Sequence, residues 1–174
     1  MLIAATIAGL ALTAVLTTNL QLMRSGLRIT QYSEMESQAR RALEQLGHDL
    51  KSATAIKWNG ASDITLTIPT SAGGSEQATY AWSAATESFF VVPGADSAVT
   101  AGRVALVRSM PALPNGGASL TFARFDRDGS AATTDLATKR IQVSLVLRRS
   151  ARTMAATTQS ALSATFTLRN KAVE

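Results

Sequence analysis

The hydrophobic pattern first sets apart the beginning of the chain. From Met1 to Met23 there is no charged residue, and 16 of these 23 residues are apolar. A helix of this length rises about 1.5 Å per residue and would be roughly 34 Å long, enough to cross a hydrocarbon core of about 30 Å. A cleaved secretory signal would need a basic start and a small-residue cleavage site. The pattern therefore predicts a transmembrane helix over residues 1–23.

The next part of the chain, residues 24–52, is amphipathic. It contains no proline and consists mostly of residues that favour helix. Apolar positions recur there at spacings of three and four, so they share one face of a helix. These positions are Met35, Ala39, Ala42, Leu43, Leu46 and Leu50. The spacing predicts that one long helix, apolar and then amphipathic, runs from residue 1 to about residue 52.

Small residues within the apolar part suggest close packing of like helices. Ala4 with Ala8, and Ala5 with Gly9, form overlapping pairs of small residues four positions apart. Such pairs let two helix backbones approach closely, although they also arise by chance in an alanine-rich stretch. We expect these four residues, with Ala39, Leu43 and Leu46, to carry helix packing and assembly.

The remainder, residues 53–174, alternates with a period of two. Strict alternation covers residues 64–68, 120–122, 141–147 and 162–168, and further strands are expected at 77–83, 87–92 and 103–110. This alternation is typical of an antiparallel sheet with one buried face. Phe89 and Phe90 would place one ring on each face, so one ring should be exposed or lie under a loop. The prediction is an α+β fold in which the long helix packs on an antiparallel β-sheet.

Composition argues against an enzyme. The chain has no cysteine and one histidine, which excludes disulfides, thiolate metal sites and histidine clusters. His48 and Asp49 are adjacent near the helix end, but neighbouring helical residues point about 100° apart and cannot form a dyad. No Gly-x-Ser-x-Gly motif is present. We expect no catalytic residue and no cofactor.

The segment Asp126-Arg127-Asp128-Gly129 resembles a fragment of a calcium-binding loop. A complete loop requires a glutamate at its twelfth position, where this chain has Ala137. An Asp-Gly turn before a strand explains the segment more simply. We expect no metal there.

The basic residues concentrate in the last part of the chain. The formal net charge is +5, and from Lys139 onward seven basic residues face only Glu174. A contact surface could form at Arg148, Arg149 and Arg152. Clustered arginines can bind DNA phosphates, but no aromatic residue is interleaved for base stacking. A solvated strand face, or pairing with a partner subunit, accounts for them better.

The first fifty residues resemble a known superfamily. The similarity is to the N-terminal helix of type IV pilins and type II secretion pseudopilins, and it lies in Met1 to Leu10 and in residues 38–46. Within this superfamily the chain most resembles J-type minor pseudopilins and W-type minor pilins. The resemblance implies a minor pilin or pseudopilin, placed near the tip of a filament. Implied partners are other minor subunits, the major subunit, an assembly platform, a cytoplasmic assembly ATPase and the lipid bilayer. The implied location is the bacterial inner membrane, single-pass, with the sheet domain in the periplasm. The alternative is a DNA-binding pilin-like protein of DNA uptake.

One departure from the superfamily concerns the N-terminus. Its members carry a basic leader and a cleavage site followed by a glutamate, and this chain begins one residue after that glutamate would stand. Arg24 and Arg28 follow the uncharged stretch, whereas none precedes it, which is opposite to the superfamily's orientation under the positive-inside rule. We therefore expect a longer native N-terminus; the other interpretations are a trimmed chain or a degenerate member.

Overall fold

A computed structural model of the chain describes residues 2–150 and 157–172. Within these ranges the side chains at positions 2, 4, 5, 7, 8, 11, 28, 149, 150, 157 and 158 are not described. One helix, α1, runs over Leu2–Ser52 and is followed by eight strands. The strands are β1 Ala55–Gly60, β2 Asp63–Pro69, β3 Ser75–Ser83, β4 Ser88–Pro93, β5 Val104–Arg108, β6 Leu120–Phe125, β7 Arg140–Ser150 and β8 Thr157–Thr167.

The strands form two antiparallel sheets instead of the single sheet expected. The first has the order β1-β2-β3-β4-β5, and the second has the order β6-β7-β8. The division falls at residues 109–119, where Pro111 and Pro114 lack the N–H groups that a continued ladder would need. The α+β class and the long N-terminal helix are confirmed.

Strand β1 is the one strand that the alternation did not predict. Only Ile56 and Trp58 alternate within it, and Asn59-Gly60 is a turn signal that argues for a loop. Pairing with β2 supplies the strand's structure: Ile56 lies opposite Leu66, and Trp58 lies opposite Ile64. Pairing with β2 therefore determines that residues 55–60 form a strand.

The core lies between the second half of α1 and both sheets. All six helix positions predicted to share a buried face are buried, which confirms the amphipathic pattern. Leu46 and Leu50 are fully buried and belong to one cluster with Ile64 of the first sheet and Leu145 of the second. Gly47 marks the closest approach to β8, since a Cβ atom at this position would lie 2.5 Å from Cε1 of Phe166.

A smaller cluster lies on the outer face of the first sheet. Phe89 belongs to the main core, whereas Phe90 packs on the other face with Ala81 and Val92. The guanidinium carbon of Arg103 lies 4.1 Å from the centre of the Phe90 ring. The Arg103 guanidinium also donates a 2.6 Å hydrogen bond to the carbonyl of Ser97, which ties down the β4–β5 loop. One ring thus lies under a loop, as predicted.

The membrane location predicted for this chain is wrong. Among the residues that the structure describes, none belongs to a helix that is both long enough and apolar enough to cross a membrane. The prediction gave weight to the absence of charge between residues 1 and 23. Polar side chains at Thr13, Thr17, Thr18, Asn19 and Gln21 interrupt the apolar positions of this stretch. The single-pass inner-membrane location with a periplasmic sheet domain is therefore withdrawn.

Two leucine substitutions in the same helix should separate core from surface. We expect Leu46→Ala to lower the free energy of unfolding by about 2–5 kcal/mol, because it removes a fully buried side chain from the cluster that joins both sheets. The measurement is denaturant unfolding of the full chain followed by tryptophan fluorescence.

The matched control for this measurement is Leu22→Ala. Leu22 is 66% exposed on the first half of α1, so its removal should change the free energy of unfolding by less than about 0.5 kcal/mol. Equal losses in the two variants would contradict the assignment of the core to the second half of the helix.

Candidate assembly surface on helix α1

The first thirty residues of α1 extend away from the sheets. We refer to residues 2–32 as the helix arm. At about 1.5 Å per residue the arm is roughly 46 Å long. Eleven large apolar side chains of the arm are exposed, namely Ile3, Leu10, Leu12, Val15, Leu16, Leu20, Leu22, Met23, Leu27, Ile29 and Tyr32. A continuous apolar surface of this length is unusual on a monomer and typically marks an interaction site.

The apolar side chains surround the arm on every side. Successive helical residues are rotated by about 100°, so Leu10, Leu12, Val15 and Leu20 point in four different directions. A helix that meets one partner needs only a stripe of apolar positions, whereas exposed apolar side chains on several sides of a helix indicate several neighbours. The arm therefore has the surface of a helix that packs inside a bundle.

The threonine hydroxyls of the arm are satisfied within the helix itself. The Thr13 hydroxyl donates a 2.8 Å hydrogen bond to the carbonyl of Gly9, and the Thr17 hydroxyl donates to the carbonyl of Thr13 at 2.9 Å. The Thr18 hydroxyl does the same to Ala14. Burying an unpaired hydroxyl would cost free energy. These internal bonds therefore let the arm be covered by apolar neighbours without leaving these three donors unpaired.

The residues predicted for helix packing fall into two groups. Ala4, Ala5, Ala8 and Gly9 are all in the arm; the first three side chains lie outside the described residues, and at Gly9 no atom would lie within 4 Å of an added Cβ. The open backbone at Gly9 permits a close approach by another helix. The second group consists of Ala39, Leu43 and Leu46, and these pack inside the chain's own core. The two groups are thus not on one surface.

The predicted basic surface is described at only one of its three residues. Arg148 lies in β7 opposite Gln159, and its Nε atom is buried without a hydrogen-bond partner among the described residues. Arg149 lies opposite Thr158, but its side chain lies outside the described residues. Arg152 lies wholly outside them. Among the described residues, Arg148 is therefore the one member of the predicted surface whose side chain can be placed.

His48 and Asp49 take separate structural roles. The Asp49 carboxylate accepts a short hydrogen bond from the hydroxyl of Tyr80 in β3. His48 is exposed, and its carbonyl accepts a bond from the Ser52 hydroxyl. Asp49 is thus a tie between the helix and the first sheet. Sequence reasoning missed this pair because no pattern links residues 31 positions apart.

The Asp126 segment forms a turn. One carboxylate oxygen of Asp126 accepts hydrogen bonds from the backbone N–H groups of Asp128, Gly129 and Ser130 at 2.8 to 3.0 Å. Gly129 has a φ of 96°, a conformation that glycine adopts readily. These bonds explain why the segment carries aspartate and glycine. Over the described ranges 2–150 and 157–172, no group of three or more acidic or histidine side chains could hold a metal ion.

A second cluster that the sequence did not reveal joins the two sheets. Arg124 of β6 forms an ion pair with Asp135 at 2.7 Å, and its guanidinium lies 5.0 Å from the Trp58 ring of β1. The other carboxylate oxygen of Asp135 accepts the backbone N–H of Trp58 at 3.2 Å. This arrangement holds the β6–β7 loop against the outer edge of β1, and its role is structural.

Comparison with known proteins does not assign the chain to a family. No family model matches the sequence, and no curated protein is similar to it at a significant level. The resemblance to pilins therefore stays a prediction.

The Tyr80–Asp49 pair predicts a pH dependence of stability. Burial, and then the hydrogen bond to Asp49, raise the pKa of Tyr80 well above its ordinary value near 10. Above about pH 10 the unfolded chain loses this proton while the folded chain keeps it. The free energy of unfolding should therefore fall with rising pH by up to about 1.4 kcal/mol per pH unit from this group.

Tyr80→Phe should remove this contribution. We expect the variant to be less stable near pH 7 by about 1–3 kcal/mol, because Asp49 loses its buried partner. Between pH 10 and pH 11 the free energy of unfolding, measured with urea at each pH, should fall less steeply for the variant than for the native chain. Tyr32→Phe, at a 43% exposed position, is the control. Identical slopes for the native chain and Tyr80→Phe would contradict the assignment.

Proposed function

We propose that this chain is a structural subunit of a filament of the type IV pilin and type II secretion pseudopilin class, a minor pilin or pseudopilin. In this proposal the helix arm packs among the arms of neighbouring subunits, and the sheets lie outside this helical core. The chain contributes by assembly and has no catalytic role. The observation that carries the proposal is the arm, with exposed apolar side chains on all its sides.

The energetics of the arm favour assembly with several neighbours. Burying one exposed leucine, valine or isoleucine contributes about 1.5–3 kcal/mol. Association costs an estimated 4–15 kcal/mol in lost freedom of motion. The free energy from burying one stripe of three or four side chains barely offsets this cost. The free energy from burying eleven side chains distributed around the arm exceeds it. The gain is realised only when helices cover more than one side of the arm.

The connection between arm and core suits a filament subunit. The arm continues without a break into the part of α1 that carries Leu46 and Leu50. The arm is therefore attached to the sheets by a continuous helix and not by a loop. A subunit that docks by its arm consequently holds its sheets at a defined position, which a regular assembly requires.

DNA uptake, the alternative function, lacks a comparable observation. It depends on Arg148, Arg149 and Arg152, and the structure describes only the first of these side chains. No described surface favours it.

Sedimentation velocity and electron microscopy of the full chain test the proposal. We expect the native chain to form large assemblies at micromolar concentration. The double variant Leu16→Glu and Leu20→Glu should be monomeric, because it places two charges on the arm at positions that are 54% and 52% exposed in the monomer. Its thermal unfolding should match that of the native chain, since neither residue belongs to the core.

The control is Ala98→Glu with Ala101→Glu, two exposed positions in the β4–β5 loop that add the same charge away from the arm. This control should assemble normally. A native chain that remains monomeric, or a Leu16→Glu and Leu20→Glu variant that assembles like the native chain, would overturn the proposal.

A further inference from the structure

The outer edge of β5 has unused backbone hydrogen-bonding groups. Among the described strands, β5 is the last of the five-stranded sheet, and its one partner is β4. The ladder with β4 has a β-bulge at Leu106, and on either side of this bulge alternate residues of β5 direct their N–H and C=O groups away from the sheet. No described residue bonds to the outward groups of Val104–Arg108. This edge is therefore open to another strand.

The other sheet edges differ from that of β5. At β1 the N–H of Trp58 is bonded to the Asp135 carboxylate. At β6 the N–H of Phe122 donates a 2.6 Å hydrogen bond to the carbonyl of Ala61. β8 carries no charged residue over Thr157–Thr167 with which to select a partner. β5 thus combines free backbone groups with charge.

A groove of about 380 Å³ runs between β5 and α1. Gln38, Arg41 and Gln45 line it from the helix, and Ala105, Leu106 and Arg108 line it from the strand. The described residues that line it include no acidic side chain. Both ion pairs found among the described residues lie elsewhere, between Arg40 and Glu36 and between Arg124 and Asp135. The groove therefore presents two cationic side chains from two different elements beside an open strand edge.

A second copy of the chain is a poor occupant of this groove. Pairing β5 with β5 of another copy would bring two grooves, each lined by Arg41 and Arg108, to one interface. Like charges at such an interface cost free energy and disfavour the complex. Charges on edge strands commonly prevent pairing of this kind between copies. The charges favour a partner of opposite sign.

We propose that the β5 edge binds an extended acidic segment of a different protein by β-strand addition. The backbone of that segment completes the ladder on β5, and alternate side chains point toward the groove. Carboxylates at these alternate positions pair with Arg41 and Arg108. Ser109, with a φ of 62°, turns the chain directly after Arg108 and limits the added strand to about five residues. The proposal uses no residue of the helix arm and does not depend on filament assembly.

Peptide binding to the full chain tests this proposal. The probe is a fluorescein-labelled hexapeptide, Thr-Glu-Val-Glu-Val-Thr, blocked at its C-terminus and measured by anisotropy at 50 mM salt. We expect saturable binding, weakened at least tenfold by Arg41→Glu with Arg108→Glu. A peptide with lysine in place of glutamate should bind the variant with Arg41→Glu and Arg108→Glu more tightly than it binds the native chain. Amide exchange over residues 104–108 should slow in the presence of the acidic peptide.

Two controls separate strand addition from attraction between charges. Arg127→Glu with Arg169→Glu makes the same charge change at exposed positions elsewhere and should leave binding within about twofold. A peptide N-methylated at its valines cannot complete the ladder and should bind at least tenfold more weakly. Equal binding of the methylated peptide, unchanged amide exchange, or equal loss in the control variant would each overturn the proposal.

Discussion

The packing of the second half of α1 against both sheets is the contact on which the rest of the structure depends. Leu46 and Leu50 belong to the cluster that contains residues of both sheets. Among the described residues, a backbone bond between the two sheets runs from the N–H of Phe122 in β6 to the carbonyl of Ala61, in the turn between β1 and β2. The helix therefore acts as the common surface on which both sheets fold. The hydrogen bond from Tyr80 to Asp49 adds a polar tie at the same contact.

This arrangement also explains how one helix can serve two purposes. Its second half places its apolar side chains on one face, because it has sheets on that face only. Its first half has exposed apolar side chains on every side and meets no sheet. Apolar side chains on several sides of a helix are shielded from water when other helices cover them. The proposed filament is the assembly that satisfies this requirement.

The two candidate surfaces differ in the physical basis of their selectivity. The arm has exposed apolar side chains, and its packing depends on area and shape, which other copies of the same helix can match. The groove beside β5 has Arg41 and Arg108 and an unpaired strand edge, so charge excludes another copy and favours an acidic segment. One chain could thus contact like subunits along the arm and a different protein at the sheet edge.

The sequence by itself determined what depends on neighbouring positions. Spacings of three and four predicted the second half of the helix and its buried residues, and alternation predicted β2, β6, β7 and β8, because these periods are local. Only the tertiary structure decided features that join distant residues: β1, which depends on β2; the division into two sheets; the Tyr80–Asp49 bond; and the groove between Arg41 and Arg108. The membrane location was predicted from the absence of charge, and the described residues do not support it. These long-range contacts follow from how the helix and sheets pack, which no periodicity in the sequence encodes.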